Sequence, residues 1–231
     1  MSSFDEYAED YDRALAEGLA ASGEGKDYFA AGRVDWLGKC LGDLHPARRI
    51  GALLDYGCGT GSTIPLLHGL APEARVLGVD VSSASLRVAE RNFGSDRIRF
   101  ATVTDVAPSS EFDLAYCNGI FHHIEPRDRA AATRYVYEAL VPGGVFAFWE
   151  NNPWNPGTRW VMSRIPFDRD AIPLSAPEAR GLAKAAGFEV VRTDFLFIFP
   201  RFLKGFRALE PRLSRLPFGG QYQILCRKPT T

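Results

Sequence analysis

The sequence predicts an α/β fold built on a doubly wound, largely parallel sheet with helices on both faces. Three observations carry this. Residues 53–61 read L-L-D-Y-G-C-G-T-G, an apolar run that stops at Asp55 and passes into three glycines spaced by single residues. A second apolar segment, 75–79, ends in another acid, Asp80. From there to residue 149, short strand-like runs alternate with helix-like segments, the pattern of right-handed strand–helix–strand crossovers.

Taken in order, residues 4–20 and 27–44 read as two helices ahead of the sheet. In the second, Val34, Leu37, Leu41 and Leu44 recur at helical spacing, with Trp36 and Cys40 beside them. The first strand starts near Ile50. The helix behind the glycine turn, 63–70, tolerates Pro65 in its first turn. After Asp80, Ser82 or Ser83 caps a helix that runs to Phe93. Strands are expected at 97–103 and 112–117, and Pro126 opens a helix through Leu140. A fifth strand, 145–149, ends at Glu150. Ser175-Ala176-Pro177-Glu178 is a capped helix start, and that helix stops at Gly187. The apolar run 188–199 makes a sixth strand, with Phe195, Phe197 and Phe199 alternating into the core, and 222–226 makes the last.

The bulk properties bound the function. The 231 residues contain nothing that resembles a linker and suit one domain, with 46% hydrophobic residues to fill a core. A net charge of −1 leaves no overall electrostatic footprint for nucleic acid. Cys40, Cys58, Cys117 and Cys226 form no C-x-x-C pair and read as reduced thiols. No apolar stretch approaches a membrane span, so no integral membrane contact is expected. The start, M-S-S-F-D-E-Y, has no apolar signal region, and the expected location is cytoplasmic.

Glycines make the 53–61 turn tight and let a ligand approach its backbone, and a carboxylate at Asp80 suits both hydroxyls of a ribose. A nicotinamide fingerprint would place its third glycine at 62, but Ser62 stands there and Gly61 is the third. An acid beside the turn would repel a pyrophosphate and suits a cationic ligand. Asp55 and Gly57, Gly59 and Gly61 together resemble motif I of the class I S-adenosylmethionine-dependent methyltransferases, D/E-x-G-x-G-x-G. The resemblance is close over 53–144, where Val141-Pro142-Gly143-Gly144 matches the family's turn into strand five. It implies a Rossmann-like sheet of seven strands, the last antiparallel and inserted beside the fifth. It also implies S-adenosylmethionine as cofactor, held by Asp55, Gly57, Cys58, Gly59, Gly61, Asp80, Val81 and Asn118, with Asp105 and Val106 at the adenine. The single domain then divides into a helical cap (1–45), a cofactor-binding half (46–150) and a substrate-side half with lid loops (151–231). In many small-molecule members a leader like 4–11 lies across the cofactor mouth, so that Tyr7 and Tyr11 would close it.

In an open α/β sheet the acceptor belongs at the carboxyl edge of the strands. The segments 150–175 and 200–220 leave that edge and are longer than connections require. Glu150 and Asn151 at the end of strand five, with Trp154, Trp160, Phe202 and Phe206, are the expected substrate contacts, forming an aromatic lid beside Arg207, Arg212 and Arg215. His122 and His123 are the histidines near this edge, and either suits a general base for an O–H or N–H acceptor. H-H-x-E is not a standard ligand spacing, so no metal is expected. The N-N-P-W at 151–154 follows strand five, whereas the N-P-P-Y box of amino-methyltransferases follows strand four, which rejects that subclass. The favoured reading is methyl transfer to a small or lipid-like molecule. Methylation of RNA or protein, and a non-catalytic cofactor-binding module, are the alternatives. The sequence leaves the oligomeric state open.

Overall fold

The computed structural model describes residues 18–44, 49–168 and 170–230. The expected helix over 4–20 and the leader with Tyr7 and Tyr11 therefore lie almost wholly outside the described residues. The chain enters as helix α1 (Lys26–Leu44) and continues as β1 (Ala52–Tyr56), α2 (Ile64–Leu70), β2 (Arg75–Asp80), α3 (Ser83–Phe93), β3 (Ile98–Thr102) and β4 (Phe112–Asn118). It goes on as α4 (Arg129–Ala139), β5 (Leu140–Asn151), α5 (Pro156–Met162), α6 (Ala176–Ala186), β6 (Glu189–Leu196), a 3-10 segment (Arg201–Leu209), α7 (Glu210–Leu213) and β7 (Gln221–Arg227).

The strands form one seven-stranded sheet in the order β3-β2-β1-β4-β5-β7-β6. Pairings from β3 through β5 are parallel, and β7 runs antiparallel between β5 and β6. The strand order reverses between β1 and β4, which opens a crevice at their carboxyl ends. Along β5 the pleat divides the core in two. Phe146 and Phe148 pack with α4 and α6, whereas Val145, Ala147 and Trp149 pack with α1 and α2. Among the described residues no helix is long and apolar enough to cross a membrane.

The capping signals act as expected in two places. Ser82 Oγ accepts the Ser85 N–H at 3.1 Å, and Ser175 forms a capping box with Glu178. Three boundaries differ. Helix α4 begins at Arg129, because Pro126–Asp128 form a turn with Asp128 as the cap. Residues 140–144 extend β5 instead of preceding it, and Gly143 N–H donates to the Lys228 carbonyl at 2.9 Å. Strand β6 ends at Leu196, since Phe197 takes φ +62°, a left-handed conformation that breaks the pleat. Phe195 therefore enters the core, while Phe197 turns onto Phe29 with ring centroids 5.0 Å apart.

Candidate active site

Two cavities open at the carboxyl edge of the sheet. The first, about 340 Å³, is lined by the glycine turn, Asp55, Asp80, Val81, Ser85, Val103 and Tyr116. All three glycines have left-handed φ, at +77°, +54° and +78° for Gly57, Gly59 and Gly61. Their surroundings assign different tasks. A Cβ on Gly57 would lie 2.4 Å from Ile120, and one on Gly61 would press on Phe93, Ala89 and Phe100. A Cβ on Gly59 would meet nothing within 4 Å, so its backbone faces open space at the cavity. The turn is tied to β2, with Gly57 and Cys58 N–H both donating to the Val79 carbonyl at 2.7 and 3.0 Å.

Asp80 reinforces that tie. Its carboxylate accepts the N–H groups of Gly59 and Ser82, each at 2.8 Å. A carboxylate offers about four acceptor sites, so this role is compatible with a ribose diol as well. Asp55 differs. It is buried, lines the cavity, and among the described residues nothing donates a hydrogen bond to its carboxylate. Burial, with the Asp80 charge nearby, pushes it up to about 7 despite the opposing pull of Arg33. A buried acid in that condition suits a ligand that brings a positive charge.

The second cavity, about 390 Å³, is lined by Tyr28, Phe29, Trp160, Met162, Phe197, Phe199 and Phe202, with Asn151, Asp168 and Arg207 among the polar groups. Lys26, Arg33, Asn118, Gly119 and His123 line both cavities, so the two share a wall. Arg33 is buried in that wall, its Nε donating to Tyr116 Oη and its Nη1 to Gln221 Oε1, both at 3.0 Å. The side-chain oxygen of Asn118 is buried there without a hydrogen-bond partner among the described residues.

Behind the shared wall lies a buried ionic cluster. His122 Nδ1 is 2.7 Å from Glu150 Oε2, and its Nε2 is 3.4 Å from Asp168 Oδ1. The same Asp168 oxygen lies 3.2 Å from His123 Nε2. Burial opposes charge on His122, yet the two carboxylates outweigh it and raise the imidazole to about 10. Against burial, the bonds to His122 hold Glu150 below the usual carboxylate range, and those to His122 and His123 do the same for Asp168. His122, His123 and Asp168 bring ligand-type atoms within 4.8 Å of one another, a spacing able to hold a metal ion. The His122 imidazolium already puts a positive charge between the carboxylates, and a metal would have to displace its proton.

The structure places the sequence-predicted residues unevenly. Asp55, Gly57, Cys58, Gly59, Asp80, Val81 and Asn118 line the first cavity, while Gly61 packs beneath the turn. Burial raises the Cys58 thiol well above its usual range, so it stays protonated. Asp105 is exposed and Val106 gives its carbonyl to Tyr135 Oη at 2.9 Å. Neither lines the cavity, where Val103 stands instead. His122 lines the second cavity but is buried between Glu150 and Asp168, whose carboxylates favour its charged form, so it is the less suited of the two histidines to act as a base. Glu150 is corrected as a substrate contact, since it accepts from Phe121 N at 2.7 Å and holds His122. Asn151, Trp160 and Phe202 line the second cavity, whereas Trp154 and Phe206 lie outside it and are exposed. Sequence reasoning missed Arg33, Tyr116 and Asp168. For Arg33 a signal existed, a charged residue sharing one helical stripe with Trp36, Leu37 and Cys40.

Comparison with known proteins agrees with this geometry. Residues 54–146 match a family model described as a methyltransferase domain. The carboxy-S-adenosyl-L-methionine synthase of Campylobacter curvus is 28% identical over 73% of this chain and 80% of its own length. The trans-aconitate 2-methyltransferase of Rhodopseudomonas palustris is 37% identical over 49% of this chain and 43% of its own. The chain spans about a quarter to three fifths of the length of several curated relatives that it matches. Its fold is also that of a TehB-like methyltransferase from Corynebacterium glutamicum, with a TM-score of 0.62 at 18% identity over 97% of this chain and 98% of the other. With the glycine turn and the inserted antiparallel strand, residues 54–146 match a methyltransferase domain, and the chain as a whole is similar to class I S-adenosylmethionine-dependent methyltransferases in fold.

Proposed function

We propose that the protein transfers a methyl group from S-adenosylmethionine to a small or lipid-like organic acceptor, with the cofactor in the glycine-turn cavity and the acceptor in the aromatic one. The observation that carries this reading is the shared wall of Lys26, Arg33, Asn118, Gly119 and His123, which puts two ligand-sized spaces side by side. The residues of the first cavity fit that cofactor. Burial keeps Asp55 raised even with Arg33 nearby, Gly59 leaves its backbone open, and Asn118 holds an acceptor oxygen without a donor among the described residues. When bound, the cofactor supplies a methyl group on a positively charged sulfur, a leaving arrangement that needs no acid.

The chain's own work is then alignment, exclusion of water and removal of one proton. Tyr28, Phe29, Phe197 and Phe199 make the acceptor wall apolar, which keeps water from the reacting atoms. His123 reaches both cavities, with Asp168 Oδ1 3.2 Å from its Nε2 to orient the ring, which makes it the residue placed to take the acceptor's proton. His122 and Glu150 hold the floor under it. Relatives named for trans-aconitate methylation support a small-molecule acceptor.

Calorimetric titration with S-adenosylmethionine, S-adenosylhomocysteine and NAD tests the cofactor, and release of S-adenosylhomocysteine across a panel of apolar and amphipathic acceptors tests the reaction. Binding of the two adenosyl compounds and not NAD, with product released for at least one acceptor, is the expected result. Binding of NAD alone would overturn the assignment.

A further inference from the structure

The mouth of the second cavity carries an apolar rim that extends outward from its lining. The 3-10 segment Arg201–Leu209 buries none of its residues, and Phe202 is 82% exposed. Phe218 is 60% exposed, and Trp154, Trp160, Phe206, Leu209 and Leu216 are exposed as well. Trp160, Phe202, Phe206 and Phe218 are tied to one place. Trp160 and Phe202 line the same cavity, and Phe206 stacks on Phe199 of its wall at 5.8 Å. Asn155 Nδ2 donates to the Phe218 carbonyl at 2.7 Å and Thr158 Oγ1 to the Gly220 carbonyl at 2.8 Å, which binds the Phe218 turn to the helix bearing Trp160.

The rim is also basic. Residues 151–167 and 200–218 hold Arg159, Arg164, Arg201, Lys204, Arg207, Arg212 and Arg215 against one acid of their own, Glu210, although Arg207 pairs with Glu24 at 2.9 Å and Arg215 with Asp194 at 3.6 Å. Glu210 faces inward, accepting the N–H groups of Phe197 and Phe199 at 3.1 and 3.0 Å. Among the described residues Lys204 and Arg212 enter no ion pair, and the Arg164 guanidinium lies 4.0 Å from the Trp160 ring centroid. Exposed Phe and Trp interleaved with arginine match the apolar interior and charged headgroup layer of a membrane surface.

We propose that this rim docks on an anionic lipid bilayer and sets the acceptor cavity against the headgroups. A second copy of the chain is disfavoured because a two-fold contact would press like-charged patches together. A nucleic acid would leave Leu209 and Leu216 unused, since an aliphatic side chain offers no face on which a base stacks. The surface itself is independent of the reaction; only its consequence, a lipid-like acceptor entering from the membrane, rests on the function proposed above.

Vesicle flotation tests it, with phosphatidylcholine alone and with about 30 mol% phosphatidylglycerol added to supply the negative surface potential. The chain provides its own probe, because Trp154 and Trp160 are exposed while Trp36 and Trp149 are buried. The expected result is flotation with the anionic vesicles, roughly tenfold or more over phosphatidylcholine, a blue shift of tryptophan emission, and release by roughly 0.5 M salt. Lys204→Glu with Arg212→Glu should abolish flotation while leaving calorimetric S-adenosylmethionine binding unchanged. Phe202→Ser with Phe206→Ser should remove the blue shift, and melting curves report whether these exposed changes disturb the fold. Absence of flotation, equal binding to both vesicles, or a dimer or RNA complex lost in these variants in place of vesicle binding would overturn the proposal. Cofactor titration is made without vesicles, so a failed flotation leaves the cofactor assignment standing and the reverse also holds.

Discussion

The two cavities share a wall but are built from different material. The cofactor cavity is shaped largely by main chain at the ends of β1, β2 and β4, held by bonds from Gly57 and Cys58 to Val79 and from Gly59 to Asp80. The second cavity is shaped by side chains from α1, residues 151–168 and residues 197–207, most of which stand outside the sheet. In the first, position is set by backbone conformation, so one added side chain matters more than any residue's chemistry. In the second, the identity of each aromatic decides the shape, so that shape can change without disturbing a strand.

The largest expected effect breaks the first cavity alone. Gly59→Val should abolish S-adenosylmethionine binding by calorimetry, because the branched side chain occupies space that is open at present. At φ +54° it also strains the turn by about 1–2 kcal/mol, a modest drop in melting temperature and not a loss of fold. Retained wild-type affinity would show that the cofactor sits elsewhere.

Next in size is the buried cluster under the second cavity. His122→Ala should lower stability in urea titration at pH 7 by about 3–5 kcal/mol, since it leaves the Glu150 carboxylate buried without its cation. Because the folded imidazole is raised, this contribution is complete below about 6.5 and lost as pH rises through about 10. His123→Ala should spare stability and cut kcat by about 10²–10⁴ with cofactor affinity intact. If the two variants exchange behaviour, the assignment of floor and base is reversed.

This cluster also shows where sequence reading stops. The sheet was legible because strands and helices leave periodic apolar patterns, and Asp55 and Asp80 because each ends such a run next to the glycines. The His122–Glu150 pair joins residues 28 apart through tertiary packing, and no local pattern announces it. Asp105 looks the same in sequence whether its loop turns toward the ligand or toward water. The early end of β6 depends on a left-handed Phe197, a conformation that a non-glycine residue does not advertise. Trp160 and Phe202 were found by composition and loop length, yet that signal could not separate them from Trp154 and Phe206, which face outward.

A smaller effect sharpens the aromatic wall. Trp160→Ala with Phe202→Ala should raise acceptor KM about tenfold to thirtyfold, the loss of roughly 1.4–2 kcal/mol of apolar contact, while cofactor Kd changes less than twofold. An unchanged KM would place the acceptor outside this cavity.

The subtlest expected effect, spread over a pH range, is the proton linked to Asp55. In the unligated protein its carboxyl is raised to about 7 by burial and by Asp80. A ligand bringing a positive charge favours the ionised form and lowers that value on binding. Below pH 7 the protein must therefore release a proton to bind, and affinity should fall by up to about tenfold per pH unit, or 1.4 kcal/mol, while staying flat above pH 8. Stability of the unligated protein runs the other way. Between the unfolded value of 3.8 and about 7 the folded state holds more protons, so this group's contribution declines as pH rises. Other carboxylates titrate at the acid end, so the measurement is the difference between wild type and Asp55→Asn from pH 5 to 8. Asp55→Asn should bind more weakly at pH 8 and show a flat profile below 7. A slope that survives in the variant would assign the proton to another group and leave Asp55 without its role at the cationic end of the cofactor.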